Sequence, residues 1–203
     1  MCGRYWTDDS EEFREFVAEM NRSPLTDRWR EKKKEIRTGG EILPTDVAPV
    51  IAPDRRGGRK IYPMKWGFAG RSLLINAREE TAAVKETFRE AWHRRRCIIP
   101  AAGYFEWEHL TESGGKKRTG DKFLIRPAKE GLTYLCGLYR IEEGMPVFVV
   151  LTREPAEEIR FIHNRMPLIL PGELVNEWIR PDADPEGLLK NAVTDVHFER
   201  LNS

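Results

Sequence analysis

From Cys97 onward the chain is a succession of short apolar runs separated by glycine-containing turns, which restricts the folds open to it. Cys97–Pro100, Tyr104–Glu108, Lys122–Arg126, Leu132–Tyr139 and Val147–Leu151 have the length and the β-branched and aromatic content of strands. The tract Ser113–Gly120 (SGGKKRTG) has the composition of a hairpin loop. Helical signals lie mostly outside this region. A first helix is expected from about Asp8–Asp9, with Asp9 and Glu12 as a capping box and Phe13, Phe16, Val17 and Met20 on one face. A second is expected over Ala82–Arg95, burying Val84, Phe88, Ala91 and Trp92. Short helices follow from Pro155 to before Pro167 and over Pro171–Ile179.

Between these elements, residues 21–41 are polar, carry Lys32-Lys33-Lys34, and are expected as a solvated helix face or loop. Pro44, Pro49 and Pro53 punctuate short β-like pieces, and Arg55–Lys60 makes a basic turn. No repeat, low-complexity tract or linker divides the sequence. The expectation is one domain over residues 1–203, of class α+β, with a mostly antiparallel, barrel-like β core and short surrounding helices.

Composition removes several functional classes. With 203 residues, 40% hydrophobic and 33% charged, the chain can bury a core and is not a disordered polyion. Its net charge is +1, so any nucleic-acid affinity must come from a local basic patch. Three cysteines (Cys2, Cys97, Cys136) make no disulfide framework, and no CxxC or HxxxH pair signals a metal. No cofactor is expected. There is no apolar run of the ~20 residues that a membrane helix needs, and the start MCGRYWTDDSEE is too polar for a signal peptide. A cytoplasmic protein with reduced thiols is expected.

Four residues could carry chemistry. Removal of Met1 ahead of Cys2 would place an amine and a thiol on adjacent carbons. With an aldehyde, that pair can form a Schiff base and close to a thiazolidine. In LLINAREE, Asn76 and Arg78 share a face if the segment is a strand. In PAAGYFEWE, Glu106 suits acid–base work if its face is covered and its pKa therefore raised. In FIHNRMPLIL, His163 ends a short helix before an apolar strand. Each also has an ordinary explanation: an inert terminal cysteine, a turn asparagine, a solvated glutamate and a helix-capping histidine.

Taken together and in order, MCGRY, WGF, NAREET, FREAW…RRCIIPAAGYFEW and IHNRMPLIL resemble the SOS-response-associated peptidase family, from Cys2 to about Trp178. That resemblance implies an enzyme that detects abasic sites in single-stranded DNA and crosslinks to them through Cys2 after autoproteolytic loss of Met1. It implies chemistry of lyase or hydrolase type that shields the lesion during the DNA-damage (SOS) response. It further implies that Cys2 is the nucleophile, that Asn76 positions it, that Glu106 serves Schiff-base chemistry and N-terminal processing, and that His163 shuttles a proton. Arg4, Trp66, Arg78 and Arg165 match positions that contact DNA. The sequence departs from the family pattern with Asn164 and Ala102 where aspartates are usual, and with Glu41 in place of an asparagine. A groove lined by Arg4, Arg78, Arg94–Arg96 and Lys116–Arg118 would supply the local basic patch, and a monomer that joins the nucleoid when bound to DNA is expected. Two other readings stay open: a cysteine peptidase acting on proteins, and a non-catalytic single-strand-binding module.

Overall fold

A computed structural model describes residues 2–111, 117–129 and 131–201. The first strands are β1 (Tyr5–Thr7), β2 (Gly40–Ile42), β3 (Val47–Pro53), β4 (Arg59–Trp66) and β5 (Asn76–Arg78). The central ones are β6 (Arg96–Ala101), β7 (Gly103–Thr111), β8 (Lys117–Pro127), β9 (Thr133–Glu142) and β10 (Met145–Arg153). The short β11 (Met166–Pro167) and β12 (Ile169–Leu170) precede the last, β13 (Val196–Leu201). The helices are α1 (Glu11–Met20), α2 (Pro24–Glu31), α3 (Glu79–Ala82), α4 (Glu86–Arg94), α5 (Val175–Trp178) and α6 (Pro185–Leu189).

β10, β4, β3, β6 and β9 pair in that order, and β9 pairs back to β10, which closes a five-stranded barrel. The β4–β10 contact is parallel, while the other barrel pairings are antiparallel. Closure leaves these strands no free edge in the ring. The second sheet, ordered β13-β8-β7-β1-β2, is antiparallel throughout. This is the expected α+β class with a mostly antiparallel, barrel-like core.

Strand alternation sorts the core into two parts. Cys97, Ile99, Phe148 and Val150 join Cys2, Tyr5 and Tyr104 of the second sheet. Ile98, Val149 and Leu151, one step out of phase, pack with Phe13, Phe88, Trp92 and Trp178 of the helices. The inner packing is tight at Gly137 on β9. A Cβ there would lie 2.6 Å from Ile99 Cδ1 and 2.7 Å from the Val149 carbonyl oxygen, so the position accepts only glycine.

Several local expectations need correction. α1 is capped by Ser10, whose Oγ accepts from the Phe13 N–H, so the Asp9–Glu12 box does not set its start. Within the polar stretch 21–41, α2 forms because Ser23 caps it, Pro24 opens it and Trp29 buries its ring. The indole of Trp29 donates to the Pro63 carbonyl at 2.9 Å. The helix expected over Ala82–Arg95 is two helices, α3 and α4, with Val84 between them and 74% exposed. Pro49 and Pro53 sit within β3 rather than breaking it. Pro49 faces Pro63 of β4, a pairing position where neither strand needs an N–H. The Pro155 segment contains only a 3-10 turn at Glu157–Ile159. Residues 117–120 of the expected hairpin loop belong to β8, and the rest of that loop, with Lys116, lies outside the described residues.

Candidate active site

The second sheet delivers Cys2 to Glu106. Tyr5 pairs with Tyr104, and the Arg4 carbonyl accepts from the Phe105 N–H at 2.9 Å, so the antiparallel register carries the residues before β1 alongside Glu106. Cys2 is wholly buried, and its thiol lies 3.8 Å from the Arg4 carbonyl. Burial, reinforced by the nearby charge of Glu106, pushes the thiol far above the usual range, so it is held protonated.

A strand alongside the barrel supplies the second anchor. β5 runs parallel to β10, with Asn76 opposite Val150 and Arg78 opposite Thr152. Asn76 Nδ2 donates to the Cys2 carbonyl at 2.8 Å. Asn76 and Arg78 do share a face, with Ala77 turned into the core between them.

Glu106 is buried, which answers the question its alternation left open. Desolvation pushes its carboxyl up to about 7, a value that lets it exchange a proton near neutrality. His163 is also buried, and that burial, with His109 alongside, pushes its imidazole down to about 4. Its Nδ1 accepts from the Arg165 N–H at 3.0 Å, which places the proton of the neutral ring on Nε2. His109 packs against it at a tilt of 60° with ring centroids 4.1 Å apart, and the His109 N–H donates to the Ile162 carbonyl.

The alternation of the strand did not single out His109. A bulge between Trp107 and His109 resets the register of β7, so counting by twos from Glu106 passes over it. Tyr5 and Tyr104 were also missed. Both are fully buried beside Cys2 and Glu106, and neither hydroxyl has a hydrogen-bond partner among the described residues.

The expected DNA-contacting residues divide. Arg78 is exposed on β5. Arg4 is one-third exposed, pairs with Glu41 at 2.6 Å and lies over the Trp107 ring. Arg165 is engaged in an ion pair with Glu80 and donates to the Thr152 carbonyl at 2.6 Å, so it braces the strand ends beside His163. Trp66 is a correction: its exposure is 0%, so it offers no stacking face to a base. It is fixed in the core by stacking on Phe148 and by donating from Nε1 to the Ile75 carbonyl at 2.9 Å. The partly exposed aromatic beside the cations is Trp107.

Arg96 is likewise unavailable to a groove. It is buried, and its guanidinium donates to the carbonyls of Trp92, His93, Trp178, Arg180 and Ala183. Arg94 and Arg118 are exposed. Among the described residues, no group of three or more His, Cys, Asp or Glu side chains converges on a metal position, and no helix is long and apolar enough to cross a membrane.

Comparison with known proteins finds relatives in both sequence and fold. The chain is 36% identical over 202 residues to the abasic site processing protein YoqW of Bacillus subtilis, covering 93% of this chain and 84% of that one. It is 29% identical over 192 residues to the abasic site processing protein YedK of Escherichia coli, covering 90% and 81%. Its fold matches a phage-related protein of Bordetella bronchiseptica with a TM-score of 0.75 at 20% identity, over 100% of this chain and 95% of that one. A Bacteroides thetaiotaomicron protein matches with a TM-score of 0.73 at 19% identity, over 99% and 92%. The profile of the SOS response associated peptidase (SRAP) family covers residues 1–202, and the chain belongs to that family.

Proposed function

We propose that this protein processes abasic sites in single-stranded DNA by forming a covalent thiazolidine through Cys2 once Met1 has been removed, shielding the lesion during the DNA-damage response. The observation that carries the reading is the convergence on Cys2: Asn76 holds its carbonyl, and Glu106 lies near enough for its charge to act on the thiol. The printed names of the relatives, abasic site processing proteins, point to the same lesion.

The chemistry orders itself from the protonation states. The thiol is held protonated, so the freed α-amine of Cys2 attacks the lesion aldehyde first, and loss of water leaves a Schiff base. The thiol then adds across the C=N bond. Ionised Glu106 takes the thiol proton, sulfur bonds to the imine carbon, and Glu106 passes that proton to the nitrogen, so the ring closes with no net proton change. One water is lost in all. His163 presents Nε2–H as a donor for the proton traffic of sugar-ring opening. Arg78 and Arg4, with Trp107, hold the strand, and the protein acts as a monomer. A thiol held protonated does not suit a peptidase, whose attacking group is the thiolate.

The test is an intact-mass measurement of the protein mixed with an abasic single-stranded oligonucleotide. The expected mass is that of the chain lacking Met1 plus the oligonucleotide minus one water. Cys2→Ala should give no adduct that survives hydrolysis. An adduct of wild-type yield from Cys2→Ala overturns the reading.

A further inference from the structure

Across the outer face of the second sheet, four adjacent strands place one carboxylate between two cations. Glu41 of β2 accepts from Arg4 Nη1 through Oε2 at 2.6 Å and from Lys122 Nζ through Oε1 at 2.5 Å. Arg4 immediately precedes β1, and Lys122 lies on β8 opposite Trp107 of β7. The cations rest on aromatic rings. Arg4 lies 5.2 Å from the Trp107 centroid, and Lys122 lies 4.0 Å from Phe105 and 5.4 Å from Trp107. The cluster is open to solvent, with side-chain exposures of 33% for Arg4, 36% for Glu41 and 22% for Lys122.

We propose that Glu41 is a built-in phosphate surrogate: it holds Arg4 and Lys122 in position for a single-strand phosphodiester, which must displace it to bind. Carboxylate and phosphate both offer two oxygens to a guanidinium and an ammonium, so the same cations serve either anion. Burial alone would raise the Glu41 carboxyl, but the hydrogen bonds from Lys122 and Arg4 more than reverse this and hold it below the usual range. It is therefore a full charge at neutral pH. Ion pairs this exposed are weak and exchangeable, so a phosphodiester can replace the carboxylate. With Glu41 seated, the trio carries +1; with it neutral, +2. Glu41 thus lowers affinity for intact strands and leaves capture of the lesion to the chemistry at Cys2.

This inference rests on the reading that the chain binds single-stranded DNA, and its test uses an intact oligothymidine with no aldehyde, so crosslinking does not enter. Affinity is measured against salt for wild type, Glu41→Gln, Glu41→Ala and Glu41→Gln combined with Arg4→Ala. One additional phosphate contact should tighten Glu41→Gln roughly three- to tenfold at about 50 mM salt and steepen the log–log salt slope by about 0.7. Arg4→Ala should cancel the gain. Asp27→Asn, which neutralises an exposed carboxylate on α2 paired with Arg30, controls for net charge and should change nothing. Equal or weaker binding by both folded Glu41 variants, or an equal gain from Asp27→Asn, overturns the surrogate. If neither wild type nor variant binds the strand, the single-strand reading fails along with it.

Discussion

Asn76 donates to the backbone carbonyl of Cys2 at 2.8 Å, joining β5, which pairs with barrel strand β10, to the segment that leads into β1 of the other sheet. The bond fixes the main chain of Cys2 and leaves its thiol and nitrogen for chemistry. Asn76→Ala should therefore slow single-turnover crosslinking about 100-fold, the scale on which a small misplacement acts. Loss of one hydrogen bond should lower stability by only about 1 kcal/mol. Rates and thermal melts on the same preparation check this, and a rate within a few-fold of wild type would make Asn76 a packing residue.

Glu106→Gln should reduce the crosslinking rate by about 10²–10⁴-fold, the usual contribution of a general acid–base group. The wild-type rate should rise through about pH 7 as Glu106 ionises, and that limb should vanish in the variant. Burial makes folded Glu106 hold its proton more tightly than the unfolded chain does. Below about pH 4.5 it therefore carries no penalty, and it opposes folding increasingly as the pH climbs to about 7. The rise from 4.5 to about 7 is worth about 3 kcal/mol. Glu106→Gln should accordingly be more stable than wild type at pH 8 and no more stable at pH 4. Denaturant melts at the two pH values test the sign.

His163 shifts in the opposite sense. Its folded pKa of about 4 lies below the ordinary 6.5, so it has no effect on stability above pH 6.5. As pH falls toward 4 the unfolded chain gains a proton that the folded one refuses, and stability drops. His163→Gln should flatten that acid limb and slow crosslinking while leaving intact-strand affinity unchanged. A parallel loss of affinity would assign His163 to binding.

Trp66 and Trp107 should exchange the roles that sequence suggests. Trp66→Ala should cost about 3–5 kcal/mol of stability, as for a buried aromatic in a packed core. Trp107→Ala should cost little stability but weaken intact single-strand binding by about 1–3 kcal/mol. Chemical denaturation and strand binding measured side by side separate the two. Single-stranded lesions should also react faster than paired ones, because Trp107 stacks only on an unpaired base.

Arg78→Ala should weaken strand binding and reduce its salt dependence, since the side chain is exposed on β5. Arg165→Ala should act first on stability, because it removes the ion pair to Glu80 and the bond to the Thr152 carbonyl. Fluorescence anisotropy with salt titration distinguishes them, and a larger binding loss from Arg165→Ala would reverse the assignment.

The strands from β6 to β10 were legible because apolar runs bounded by turns are local properties; four were read short at their ends, and the β9 run began one residue early at Leu132 and stopped three short. Cys2, Asn76, Glu106 and His163 were read as a set from the order of their motifs, and the Asn76 side chain does reach the Cys2 carbonyl. What local pattern could not say is which face of β7 is dry. Glu106 becomes a group titrating near neutrality only because the second sheet packs that face against the barrel. Trp66 shows the converse: an indole flanked by family-like residues reads as a stacking platform until Phe148 and Tyr5 close over it. α2 was obscured because its stabilisation comes from Trp29 reaching the Pro63 carbonyl, a partner 34 residues away. Periodicity and motif order are set by neighbours along the chain, whereas burial, and hence protonation and accessibility, is set by residues brought together from distant strands.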